Sequence, residues 1–424
     1  MRNRIWVFIV MTSFVAFAGL GTACDNGDGD GDADTDVDGD GDTDTDVDGD
    51  GDTDTDVDGD GDTDTDVDGD GDADGDGDVD GDADGDADED GDTEPECEPL
   101  EDDYLPASSD DDVWPACISD DNTYHLVADP PSSAARTAAF EEIAALLFGE
   151  RDDLTAEDFT NARLIYTTPE GIDSRVQRRE DEHYPPAVDA EGNPARCRDE
   201  GIPEIPANHE RCVGPAQILP LLTDAFAGGM TSTDMELNAA RIEAGLLWFF
   251  WVSTYKEAVT GGTTETPQDL DSSWAYYNGA MEARADGIGL SRYVRAVDVA
   301  ADDRTWDGLL AARCWRDLTT REVLTGDDIE TWRWRSYAQL DRGLIRGMAS
   351  VVSARTEDVE AADGIWAQAH WEVVRILGHT LDREATVRDE DLAGELRDAL
   401  DHDDPSDADL PAIRALLADL FPCP

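Results

Sequence analysis

The chain has 424 residues, and its 103 acidic side chains against 30 Lys and Arg give a formal charge of −73. A molecule this negative lacks the basic footprint that a phosphate backbone requires, so nucleic acid is excluded as a partner. The same charge repels anionic lipid and favours cations.

Residues 1–23 read as an export signal. Arg2 and Arg4 form a basic start, residues 5–20 are apolar apart from Thr12, Ser13 and Gly19, and three small residues follow. The stretch is short for a stable membrane span, which needs about 20 apolar residues. The sequence LGTAC, ending at Cys24, resembles the lipobox of bacterial lipoproteins, although Leu20 stands four places before the cysteine and Gly21 occupies the usual Leu position. The resemblance implies that Cys24 becomes the lipid-bearing first residue and ties the protein to a membrane. Gly21 and Ala23 also suit ordinary cleavage before Cys24. Setting Cys24 aside leaves six cysteines, an even number, as suits an exported chain.

Residues 24–98 form the second region. Every even position from Asp28 to Glu98 is acidic, the segment has no Lys or Arg, and the decamer DGDGDTDTDV occurs at 38–47, 48–57 and 58–67. With almost nothing apolar to offset the entropy of ordering, the segment should be disordered. As a strand it would place every carboxylate on one face. Self-repulsion should stretch it, with a reach on the order of 200 Å at about 3.1 Å per residue. Within it, DTDVDG at 44–49 matches the opening of an EF-hand loop, with Asp44, Asp46, Asp48 and Asp50 as candidate calcium ligands. The run also resembles thrombospondin type 3 repeats. Thr55 replaces the bidentate Glu of the twelfth EF-hand position. The cofactor expectation is therefore weakly bound calcium at most, and a polyanionic spacer is the plainer reading.

Residues 99–424 are the third region, with a net charge near −37. Their pattern predicts an all-α, multi-helix domain with a buried central helix. SSAARTAAFEEIAALLFG has Ser133 as cap and Gly149 as stop. TAEDFTNARLIY opens on a capping box, Thr155 to Asp158. A second box, Thr233 to Glu236, precedes a helix whose residues 244–252 are apolar on every side, which marks it as buried. Further helical runs begin near 272, 289 and 303. A long one from 327 carries Ile329, Trp332, Leu340, Leu344, Met348 and Val351 on one stripe, with Gly343 and Gly347 positioned for close helix approach. Three more runs, starting near 360, 389 and 410, finish the chain.

Cys97, Cys117, Cys197, Cys212, Cys314 and Cys423 are the disulfide candidates, with fifteen possible pairings. Cys197 and Cys212 flank one loop. Cys423 should tie the tail to the body, with Cys314 as its partner or as a buried thiol. No C-x-x-C spacing supports zinc or redox chemistry.

The six histidines are scattered, and GHTLDRE at 378–384 lacks the spacing of the G-x-H-x-x-E motif of the imelysin-like family. Two constellations stand out. DLDSSWAYYNG (269–279) gathers Asp271, Trp274, Tyr276 and Tyr277 as ligand candidates, and SRVQRREDEHYPP (174–186) sets Arg175, Arg178 and Arg179 against Glu180, Asp181 and Glu182. Aromatic rings beside carboxylates resemble the sugar subsites of helical carbohydrate enzymes. The plainer reading is a helix packing its aromatics inward and a solvated charge run. The functional expectation is an exported, lipid-anchored envelope protein whose helical domain binds or scaffolds, with an envelope protein or a glycan as partner. The alternative is an enzyme acting on a glycan or peptide through paired carboxylates.

Overall fold

The computed structural model describes residues 99–422 apart from 107–111, 129–130, 169–170 and 263–265. The signal peptide, Cys24, the linker with Asp44, Asp46, Asp48 and Asp50, and the cysteines Cys97 and Cys423 lie outside the described residues. The described residues form thirteen α-helices and no strand, with one isolated bridge between Val188 and Pro194.

The helices are α1 (Ser133–Leu147), α2 (Ala156–Tyr166), α3 (Ile172–Val176), α4 (Leu219–Met230), α5 (Met235–Gly261), α6 (Asp269–Asn278) and α7 (Leu290–Val297). They continue with α8 (Val299–Thr320), α9 (Asp327–Ala361), α10 (Ile365–Thr380), α11 (Asp382–Arg388), α12 (Glu390–Leu400) and α13 (Leu410–Leu420). The Thr155–Asp158 capping box of α2 is present, both side chains satisfying the other residue's backbone N–H. Two expected caps are not. Ser133 is the first residue of α1 rather than its cap. At α5 the cap position is Asp234, in a left-handed conformation, and neither Thr233 nor Glu236 caps the helix. There the side chain of Asn238 reaches back to the carbonyl of Thr233 at 2.8 Å and closes the turn.

α5 is the central helix. All of residues 244–252 except the partly covered Trp248 are buried. The helix packs against α4, α6, α9 and α10. Fully buried side chains such as Phe249 and Phe250 each contribute about 1.5–3 kcal/mol through area removed from water. α8 and α9 lie close along each other because glycines face backbone. A Cβ on Gly343 would stand 2.6 Å from the Thr305 amide nitrogen, and one on Gly308 only 2.4 Å from the Leu340 Cα.

Cys197 pairs with Cys212 across 15 residues, closing the expected loop. Cys314 pairs with Cys117, 197 residues away, which corrects the expectation that it joins Cys423 or stays a thiol. The reason is the segment before α1, which crosses α8. Trp306 donates to Asn122 Oδ1 at 3.3 Å and Arg313 donates to the His125 carbonyl, so Cys117 is laid over Cys314. Formed disulfides fit an oxidising compartment. No helix among the described residues is long and apolar enough to cross a membrane.

Candidate functional site

The first constellation divides on folding. Asp271 is fully buried and accepts from the Val127 and Ala128 amides at 2.9 and 3.0 Å and from the Tyr124 hydroxyl at 3.2 Å. Burial lifts its pKa, against the pull of those donors. Trp274 stacks on Tyr124 with ring centroids 4.6 Å apart, and Tyr277 donates to Asp302 at 2.9 Å. These three residues hold the fold together. Tyr276 alone of the four faces a cavity.

The second constellation is not the solvated run expected. Arg211 spans it, donating to Glu180 at 2.9 Å and to Glu182 at 2.7 Å. Asp181 holds His183 at 2.6 Å, and Arg179, 3 % exposed, donates to Glu257 of α5 at 2.7 Å. Arg179, Glu180 and Glu182 are kept largely from solvent because each finds an opposite partner elsewhere in the chain, Glu257 for the first and Arg211 for the other two, which is the condition for burying them.

The two constellations meet at a cavity of about 390 Å³ walled by α1, α3, α5 and the start of α6, with Arg136, Arg175, Glu257, Asp269, Ser272 and Tyr276 among its lining residues. Arg136 belongs to the buried stripe of α1, between Ser133 and Phe140, and is 3 % exposed. Its Nη1 donates to Ser132 Oγ at 3.2 Å and makes a long 3.5 Å contact with the Tyr276 hydroxyl. Its Nε donates to the Gly171 carbonyl at 3.4 Å, while its Nη2 is buried with no hydrogen-bond partner. Among the described residues no carboxylate pairs with it. A buried guanidinium without an anion is costly. The nearby acid cannot help. Glu257 is taken by Arg179 and by Lys256 at 3.2 Å. Burial alone would lift its pKa, but these two cations outweigh burial and hold it below the usual range. Asp269 behaves oppositely, since burial and then the charge of Glu257 push it up.

Two other places hold unusual titratable groups. His183 stacks on the Tyr255 and Trp251 rings of α5 and is bound at both nitrogens, by Asp181 at 2.6 Å and Asp341 at 2.9 Å. Beside it only about 10 Å³ of space remains, too little for a ligand. A second cavity, of about 400 Å³, has Asp303 and Asp307 one turn apart on α8, with Arg284 and Arg304. His370 is held by Glu150 and Arg355 at 3.2 Å each. Asp382 pairs with Arg397 at 2.7 Å. Cys117, Asp120 and Cys314 cluster within reach of one ion, but their sulfurs are spent on the disulfide.

Arg136, Glu257 and Asp269 were not among the sequence-derived candidates. Arg136 had a readable signal, a cation inside an apolar stripe of period 3.6. Compared with known proteins, the chain matches no family model, and no curated protein or solved structure matches it either.

Proposed function

We propose that the chain is an exported, lipid-anchored cell-envelope protein whose helical domain binds a small polar ligand bearing an anionic group. The acidic linker carries the domain and collects calcium weakly. The observation that supports binding is the unpaired, buried guanidinium of Arg136 on the wall of a 390 Å³ cavity. Ligand sites commonly combine such a volume with a few fixed polar groups. An anion seated there satisfies a donor that the protein leaves open, so binding recovers a cost already present in the folded chain. Melting the full mature chain with millimolar acetate or succinate tests this, with chloride at equal ionic strength as control. Carboxylates should raise the melting temperature by mass action, and Arg136→Gln should remove the effect. No rise above the chloride control in the parent protein would sink the reading.

A second reading, an enzyme acting on a glycan or peptide, rests on one observation. Glu257 and Asp269 line the same cavity with pKa values moved in opposite directions, the pattern that assigns a base and an acid. Asp271 is too fully bonded to take part. Release of reducing ends or free amines by the parent protein, abolished in Glu257→Gln, would favour this reading over simple binding.

A further inference from the structure

Resting on the binding reading, the groups around Arg136 define the rest of its ligand. Two helices supply most of them. Ser132, at the cap position of α1, and Arg136 stand one turn apart, while Asp269, Ser272 and Tyr276 share one face of α6 at i, i+3 and i+7. The two rows meet where the Tyr276 hydroxyl lies 3.5 Å from Arg136 Nη1. Among the lining residues only Ala128 and Pro131 are apolar. An acid with a hydrocarbon tail would satisfy Arg136 but strip water from the other groups without replacing its hydrogen bonds. The part of the ligand beyond its charge must therefore be polar.

The wall also sets the direction of those bonds. Glu257, ionised between Arg179 and Lys256, can only accept, and Asp269 already accepts from Thr260 and Thr266. A carboxylate offers about four lone-pair sites, so both acids have room for further donors. The hydroxyls of Ser132 and Ser272 can donate or accept. A second negative charge on the ligand would face Glu257 and Asp269, so one charge and several hydroxyls suit the wall best. With about 30 Å³ to a water, 390 Å³ has room for roughly a dozen solvent-sized groups, enough for one sugar ring and its substituents.

We infer that the cavity takes a sugar acid of monosaccharide size, its carboxylate on Arg136 and its ring hydroxyls on Ser272, Asp269 and Glu257.

Isothermal titration of the full mature chain with D-glucuronate and D-galacturonate tests the inference. Cyclohexanecarboxylate, with ring and charge but no hydroxyl, and methyl glucoside, with hydroxyls but no charge, are the comparisons. At least one uronate should bind about tenfold or more tightly than either, and Ser272→Ala should narrow its advantage over cyclohexanecarboxylate by about a few-fold. Equal affinity for cyclohexanecarboxylate and both uronates in the parent protein would overturn the inference but leave the anion reading standing. So would absence of uronate binding while acetate or succinate still stabilises the chain. Methyl glucoside binding as tightly as the uronates, or no binding by any compound and no stabilisation by acetate or succinate, would overturn both. The parent-protein comparison needs no variant to fold.

Discussion

At the scale of single residues, two titrating groups give opposite pH signatures. For His183, burial would push the imidazole down, but hydrogen bonds and charge from Asp181 and Asp341 outweigh it and raise the pKa from 6.5 to about 10. A cation favoured by folding contributes fully below the unfolded value and is lost as pH rises through about 10. His183→Asn should therefore cost about 2 kcal/mol or more at pH 7, with the gap to the parent closing above pH 10 in paired denaturant titrations. For Asp307, burial dominates and lifts the carboxyl from 3.8 to about 7, against the pull of Arg304 and Arg284. The protonated form is favoured, so its contribution is whole below 3.8 and is lost as pH rises through about 7. Asp307→Asn should stabilise by about 1–2 kcal/mol at pH 8, since a tenfold change in proton affinity is worth about 1.4 kcal/mol before solvent screening, and change little at pH 4. A variant equally stabilising at both pH values would contradict the assignment. Neither shift was legible in the sequence, because the burial that drives the one and the second carboxylate that drives the other come from the tertiary fold. His183 needs Asp341, 158 residues away. Arg136 was legible in principle, since its neighbours in the stripe are apolar or small.

At the scale of elements, the helices themselves were the readable part. Their periodicity is local, and the all-round apolar run of α5 announces burial without any tertiary knowledge. Helix ends were less readable. The Thr155–Asp158 box forms, whereas the equally good Thr233–Glu236 pattern is overridden by a left-handed Asp234 and the Asn238 side chain. Glycines show the same dependence on context. Gly308 and Gly394 both lie inside helices, and alanine in either place improves helix propensity by about 1 kcal/mol. At Gly394 a Cβ meets nothing within 4 Å, so Gly394→Ala should stabilise by about 0.5–1 kcal/mol. At Gly308 it would stand 2.4 Å from the Leu340 Cα, so α8 and α9 must separate. Overpacking costs about 1–3 kcal/mol, and Gly308→Ala should be a net loss. Urea midpoints of the two variants should move in opposite directions, and movement in the same direction would refute this helix packing.

At the scale of the whole molecule, α9 gathers the two ends of the described chain. Asp102 pairs with Arg335 at 3.3 Å, Asp103 with Arg342, and the Phe421 carbonyl with Arg346 one turn further on. Four of the six cysteines beyond Cys24 are already paired, which leaves Cys97 and Cys423, next to those anchored residues in sequence. Peptide mapping without reduction should find them linked to each other, and the mature chain should gain about 6 Da on reduction. Free thiol at either position would contradict this. Export and lipid attachment carry their own test, since labelled fatty acid should enter the parent protein and not Cys24→Ser. The pairing of Cys117 with Cys314 was hidden from sequence because it depends on how one irregular segment crosses α8.

The central claim is that Arg136 is an anion receptor facing an open cavity. Its side-chain Nε–Hε resonance in the full mature chain, followed while succinate is added, reads that claim most directly. The Arg136 signal should shift and saturate, with that of Arg397, which is paired with Asp382 outside the cavity, unmoved. If all arginine signals drift together with ionic strength, or that of Arg136 stays still, the cavity holds no such ligand and the functional account fails.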